Sequence, residues 1–146
     1  MSSIVCVDAS LAILWILPSQ QDDAADALRL EWVKSGAIMV SAPLFDTEVT
    51  STLRMKVFQA VLNVAQGEQA YRFYLELGVR CVNHSSLIRS AWDLAKEYHL
   101  PRTYDMQYLA VAELLDCPFW TNDKRLVNSV QGKNEMVKWI GDYARK

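Results

Sequence analysis

Ile4-Val5-Cys6-Val7-Asp8-Ala9-Ser10 decides the fold. Four apolar residues follow one another without alternation, the pattern of a strand buried on both faces. Such a strand belongs to a parallel sheet held between helix layers. Asp8 then puts a carboxylate directly at the strand's carboxyl end. Outward from this stretch, short apolar runs alternate with amphipathic ones. Residues 10–17 read as a helix that stops before Pro18, and 22–35 as a helix ended by Gly36. Residues 37–40 are a second buried strand. Pro43 opens a long helix to about residue 60, at the position where proline is best tolerated. Residues 68–77 predict a helix with Ala70, Phe73, Tyr74 and Leu77 on one face, and 79–82 a third strand. Residues 86–98 carry the apolar stripe Leu87, Ala91, Leu94, Ala95 and Tyr98. Residues 103–115 form another helix, with Thr103 as its N-cap. Residues 118–120 are the fourth strand, 124–128 a short helix, and 137–140 an edge strand.

The expected fold is therefore α/β, with a central parallel sheet flanked by helices on both faces. A chain of 146 residues suits one domain, 1–146. Half the residues are apolar (51%), which excludes disorder. The run from Leu11 to Leu17 is far short of the ~20 residues that span a bilayer. Met-Ser-Ser-Ile-Val has no basic region ahead of an apolar stretch, so no secretory signal is expected. Cys6, Cys81 and Cys117 have no metal-ligand spacing and read as buried, reduced thiols of a cytoplasmic protein. The net charge of −2 does not announce a nucleic-acid binder. Any RNA contact must come from a local patch or a bound metal.

In parallel sheets, sites form outside the carboxyl ends of the strands. Asp8 follows the first strand there, and Asp123 follows the fourth. Glu48 and Asp105 stand on helices. Leu44, Phe45, Thr52 and Met55 share a helical face with Glu48, and Leu109 and Ala112 share one with Asp105. A carboxylate facing a core is expensive unless something pairs with it. Each acid alone has a plainer reading. Asp8 and Asp123 suit turns or helix caps. Asp105 suits the first turn of a helix. Neither Arg54 nor Lys56 is spaced to pair with Glu48. Asp46 and Glu113 serve as controls, one pointing round the helix from Glu48 and the other two turns beyond Asp105. Converging carboxylates repel each other unless a cation is present. Oxygen-only ligands suit Mg²⁺ or Mn²⁺, ions that assist phosphoryl transfer.

These residues match a known family. Val7-Asp8-Ala9-Ser10 after a buried strand resembles the opening motif of PIN domains. Ala42-Pro43 with Glu48 five residues after the proline resembles their second motif. Tyr104-Asp105-Met106-Gln107-Tyr108-Leu109-Ala110-Val111-Ala112-Glu113 is similar to their tyrosine–aspartate helix start, and Trp120-Thr121-Asn122-Asp123-Lys124-Arg125-Leu126 to their fourth motif. Order and spacing agree over nearly the whole chain, and its size and style resemble the VapC toxins of type II toxin–antitoxin operons. The resemblance implies an Mg²⁺- or Mn²⁺-dependent endoribonuclease, with Asp8, Glu48, Asp105 and Asp123 as catalytic metal ligands and Ser10 and Thr121 as supporting polar residues. It implies RNA as substrate, products with 5′-phosphate and 3′-hydroxyl ends, and a small antitoxin as partner. Met106 stands where the family usually has a small residue. A homodimer is expected, as for most soluble oligomers.

Lys124 and Arg125 flank Asp123 and are candidate RNA-phosphate contacts, with Arg102 and Arg54 weaker ones. His84 and His99 read as surface or helix-end residues, and most tryptophans as core. Two rivals stand beside the nuclease. One is a non-catalytic PIN-like module that binds RNA or protein. The other is a receiver-type signalling domain, which would need paired acids after the first strand, where only Asp8 is found.

Overall fold

The computed structural model describes residues 2–20, 22–130 and 134–143. Among them are five strands, β1 (Ile4–Val7), β2 (Ile38–Ser41), β3 (Arg80–Cys81), β4 (Phe119–Thr121) and β5 (Val137–Trp139). The helices are α1 (Ala9–Ile16), α2 (Asp23–Ser35), α3 (Leu44–Phe58), α4 (Val64–Glu76), α5 (Leu87–Glu97), α6 (Tyr104–Leu115), α7 (Lys124–Val130) and α8 (Ile140–Tyr143). The sheet is wholly parallel, in the order β3-β2-β1-β4-β5. Val5, Cys6 and Val7 are all buried although they point alternately to opposite faces, so helices cover both sides of β1.

The chain builds outward from β1 in one direction through β2 and β3, then returns to place β4 on its other flank. The switch point of the sheet is thus the gap between β1 and β4, where ligands bind in open α/β sheets. Val7 pairs with Trp120, so the residues that follow, Asp8 and Thr121, stand side by side at that gap. A buried hydroxyl pins the neighbouring strand end: Ser41 Oγ donates to Val7 O at 2.5 Å.

Local chemistry sets the helix ends. Asp8 caps α1 by accepting from Leu11 N, and Asp22 caps α2 by accepting from Ala25 N. Gly36 terminates α2 in the left-handed region, φ 72°, where it suffers no Cβ penalty. Trp15, Trp32, Trp120 and Tyr143 form a chain of edge-to-face rings, while Trp92 is exposed. His84 and His99 are both exposed.

Four expectations are corrected. The α3 helix ends at Phe58, and α4 begins at Val64 rather than residue 68. The cause is a capping box: the Asn63 side chain accepts from Gln66 N, and the Gln66 side chain accepts from Asn63 N. Cys81 is exposed because β3 is a two-residue edge strand with an open flank. Thr103 occupies the N-cap of α6 but makes no side-chain cap hydrogen bond. The apolar seam of α3 is Phe45, Val49 and Leu53, which leaves Met55 exposed and Glu48 at the seam's half-buried margin.

Candidate active site

Asp8 is the most buried of the four acids, 4% exposed. Its Oδ1 accepts from Leu11 N at 3.0 Å and from Ser10 Oγ at 2.7 Å. Its Oδ2 accepts from Thr121 Oγ1 at 2.5 Å. Thr121 is also fully buried, and its hydroxyl accepts from Asp123 N at 2.9 Å. Ser10 Oγ accepts from Asn122 N at 3.0 Å. The two hydroxyls therefore tie the end of β1 to the end of β4 across the switch point. Burial pushes the Asp8 carboxyl up from 3.8 to about 6, against the pull of the Thr121, Ser10 and Leu11 hydrogen bonds, with Asp105 adding a smaller upward push. Asp8 is both a helix cap and a strained anion.

Glu48, Asp105 and Asp123 line one cleft of about 410 Å³ together with Arg102, Tyr104 and Arg125. That size is typical of ligand clefts. Each acid arrives on a different element. Glu48 comes from the second turn of α3, Asp105 from the first turn of α6, and Asp123 from the turn between β4 and α7. Glu48 is held by Tyr108, whose hydroxyl donates to Oε1 at 2.5 Å. Tyr108 is itself 1% exposed and stacks on Phe119. Burial and the Glu48 carboxylate push its phenol far above the ordinary range. Asp123 Oδ1 accepts from Arg125 N and Leu126 N, opening α7, and lies 3.9 Å from Arg125 Nε. Asp105 accepts no hydrogen bond among the described residues. Desolvation raises its carboxyl first, then the charges of Asp123 and Glu48, with Arg125 opposing them.

These hydrogen bonds leave both oxygens of Asp105, one of Glu48 and one of Asp123 without a donor at the cleft. Carboxylates gathered at one cleft, with oxygens free of donors and no histidine or cysteine among them, fit a hard divalent cation. Among the described residues no group of three or more Asp, Glu, His or Cys side chains is arranged to hold a metal ion as it stands. Sharing an ion would require the side chains to close in.

The remaining sequence candidates divide. Arg125 and Arg102 line the cleft. Lys124 does not; its Nζ sits 3.9 Å over the Trp139 ring. Arg54 lies over Phe58, beside a different groove. The controls stand apart: Asp46 accepts from Tyr74 Oη and Cys81 Sγ, and Glu113 is absent from the cleft lining. Met106, the residue after Asp105, is fully buried. Sequence reading missed Tyr108. Its signal was a phenol three residues after Asp105 on an apolar helix, a group that needs a partner once buried.

The sequence model of the PIN domain matches residues 23–137, which include Glu48, Asp105 and Asp123 and begin after Asp8. The VapC ribonuclease Mb0985 of Mycobacterium bovis is 28% identical over 133 residues, covering 89% of this chain and 94% of the relative. Ribonuclease VapC9 of Mycobacterium tuberculosis is similar to the same degree, 28% over 133 residues with the same coverage, 89% and 94%. Among solved structures, a toxin–antitoxin complex from Klebsiella pneumoniae aligns with a TM-score of 0.65 at 16% identity, over 92% of this chain and 95% of the other. PAE2754 from Pyrobaculum aerophilum aligns with a TM-score of 0.66 at 18% identity, over 100% of both chains. At these identities the two structures establish the shared fold.

Proposed function

The chain belongs to the PIN domain family, and from that premise we propose that it is a divalent-metal-dependent endoribonuclease, the toxin of a toxin–antitoxin pair. The observation that carries the reading is the meeting of Glu48, Asp105 and Asp123, from three separate elements, in one cleft at the sheet's switch point, backed by buried Asp8. The VapC ribonucleases of the two mycobacteria support RNA as the substrate. The toxin–antitoxin complex from Klebsiella supports an antitoxin as partner. The reading includes 1–146 as one domain, a homodimer and a cytoplasmic location. No helix among the described residues is long and apolar enough to cross a membrane.

Asp8, Glu48, Asp105 and Asp123 would hold Mg²⁺ or Mn²⁺. When bound, such an ion supplies Lewis-acid stabilisation of the phosphate oxygens and makes water a stronger nucleophile at neutral pH. The chain's own residues do the rest. Thr121 and Ser10 fix both oxygens of Asp8, and Tyr108 fixes Glu48, so these two carboxylates keep their direction. To Asp105, whose oxygens accept no hydrogen bond among the described residues, we assign the acceptance of a proton from an attacking water. Arg102 and Arg125 on the cleft wall offset the charge of the phosphodiester.

The test is cleavage of a mixed RNA pool by purified protein in Mn²⁺, in Mg²⁺ and in excess EDTA. Cleavage is expected only with metal, and Asp105→Asn should lower it at least a hundredfold, roughly the contribution of a positioned base. Undiminished cleavage in EDTA would overturn the metal mechanism. Absence of cleavage in every arm would favour the non-catalytic binding module.

A further inference from the structure

Among the exposed aromatic residues Phe58, Tyr71, Trp92 and Tyr104, only Tyr104 lines the acidic cleft. Phe58 has Arg54 over its ring, and Tyr71 leans on Tyr74. Tyr104 is 60% exposed and makes no ring contact or hydrogen bond among the described residues. It opens α6 immediately before Asp105 and four residues ahead of Tyr108, so it shares a helix face with Tyr108. That face points to Glu48, because the Tyr108 hydroxyl reaches it. One turn nearer the N-terminus, roughly 6 Å along the axis, the same face has left the core and stands at the mouth of the cleft. Side chains of a helix lean toward its N-terminus, which carries the Tyr104 ring further outward.

Leaving a tyrosine here contributes nothing to the core. Burying such a ring would stabilise the fold, and a polar residue would serve the first turn of a helix as well. Its neighbours in the cleft are chemically specific. Arg102, two residues earlier, makes no ion pair among the described residues, and the Arg125 side chain is 95% exposed. A flat ring lining the same cleft as two guanidinium groups and the carboxylates matches one nucleotide in parts: base on ring, phosphates on arginines.

We infer that Tyr104 is a positioning residue that stacks on a nucleobase next to the scissile phosphate and so holds the RNA in register with Asp105. The inference rests on the ribonuclease reading. The ring is exposed, so its replacement leaves the core intact, which thermal melts of each variant verify.

The experiment measures binding of a short fluorescein-labelled oligoribonucleotide of mixed sequence in EDTA, where nothing is cleaved. The same titration is run with an oligomer of equal length whose sugars lack bases. Wild type is compared with Tyr104→Phe and Tyr104→Leu, and kcat and KM for RNA are measured separately in Mn²⁺. Tyr104→Phe keeps the ring and is expected to bind as wild type. Tyr104→Leu keeps apolar bulk without the π face and should bind the RNA about tenfold more weakly. The difference should vanish on the baseless oligomer and reappear in KM rather than kcat. Wild-type binding by Tyr104→Leu, or an equal loss on the baseless oligomer, overturns the inference, as does a wild type that binds no RNA. Should wild type bind with this pattern yet cleave nothing in Mn²⁺, stacking stands and the nuclease reading falls. Should it cleave while the leucine variant matches it, stacking alone falls.

Discussion

Asp8 shows how one carboxylate serves two ends. As a cap it stabilises α1; as a buried anion close to Asp105 it opposes folding. Its folded pKa, about 6, lies above the unfolded value. The native state therefore holds the extra proton, and this group's stabilising contribution is complete below about pH 4 and lost as pH rises through about 6. A shift of that size disfavours the charged native form by about 3 kcal/mol. Asp8→Asn keeps an acceptor for Leu11 N and Ser10 Oγ, and the Thr121 hydroxyl can turn toward Ser10, 3.2 Å away. In EDTA at pH 8 the variant should melt above wild type, and the gap should shrink toward pH 5, where wild type takes up its proton. In millimolar Mn²⁺ the order should reverse, since wild type gains about 2.7 kcal/mol at a hundredfold excess over Kd and the variant much less. Melts at both pH values, with and without Mn²⁺, check this. A variant less stable than wild type at pH 8 in EDTA, with an undiminished Mn²⁺ shift, would leave Asp8 a cap and nothing more.

At the scale of elements, turn chemistry and packing share the work unevenly. The α1 helix is buried along almost its whole length, so its core contacts hold it whatever its cap does. The α4 helix buries only Gly67 and Ala70 and depends more on its start. At Gly67 α4 packs against α3 with no room for a side chain: a Cβ would come within 2.4 Å of Val57 Cγ2. Asn63→Ala removes one arm of the capping box and should cost about 1 kcal/mol. Urea unfolding should show a lower midpoint at unchanged slope, while RNA cleavage per folded molecule stays the same, because α4 contributes no residue to the acidic cleft. An unchanged midpoint would mean that packing alone sets where α4 begins.

For the whole molecule, the net charge of −2 and the proposed RNA substrate are reconciled by local placement. Arg102 and Arg125 face the cleft, while Lys124 is held over Trp139. Few phosphate contacts imply a shallow dependence of RNA affinity on salt. Arg125→Ala should reduce the slope of log K against log salt by about 0.7, the value of one contact on a single strand. Anisotropy titrations across a salt series in EDTA measure it. A slope equal to wild type would remove Arg125 from the interface. Lys124→Ala should leave the slope unaltered.

The sequence by itself determined the layering and named the candidate acids in order. Unalternating Ile4-Val5-Cys6-Val7 requires burial on both faces, and that requirement is local, so a parallel sheet between helices is legible from it. The four acids were legible only as candidates and only as a set: Asp8 and Asp123 follow strands, while Glu48 and Asp105 share helical faces with apolar residues. The tertiary structure decided what depends on distance across the fold. Strand order put Asp8 beside Thr121, a hydroxyl bridge no spacing of 113 residues could reveal. It put Tyr108 against Glu48, 60 residues away, and gave the acid on α3 a fixed direction. It exposed Cys81, read as buried within the strand-like run of residues 79–82, because whether a strand lies at the edge is a property of the sheet. And it separated Arg125 from Lys124, adjacent in the chain, because successive helical residues point about 100° apart and only one of those directions meets the cleft.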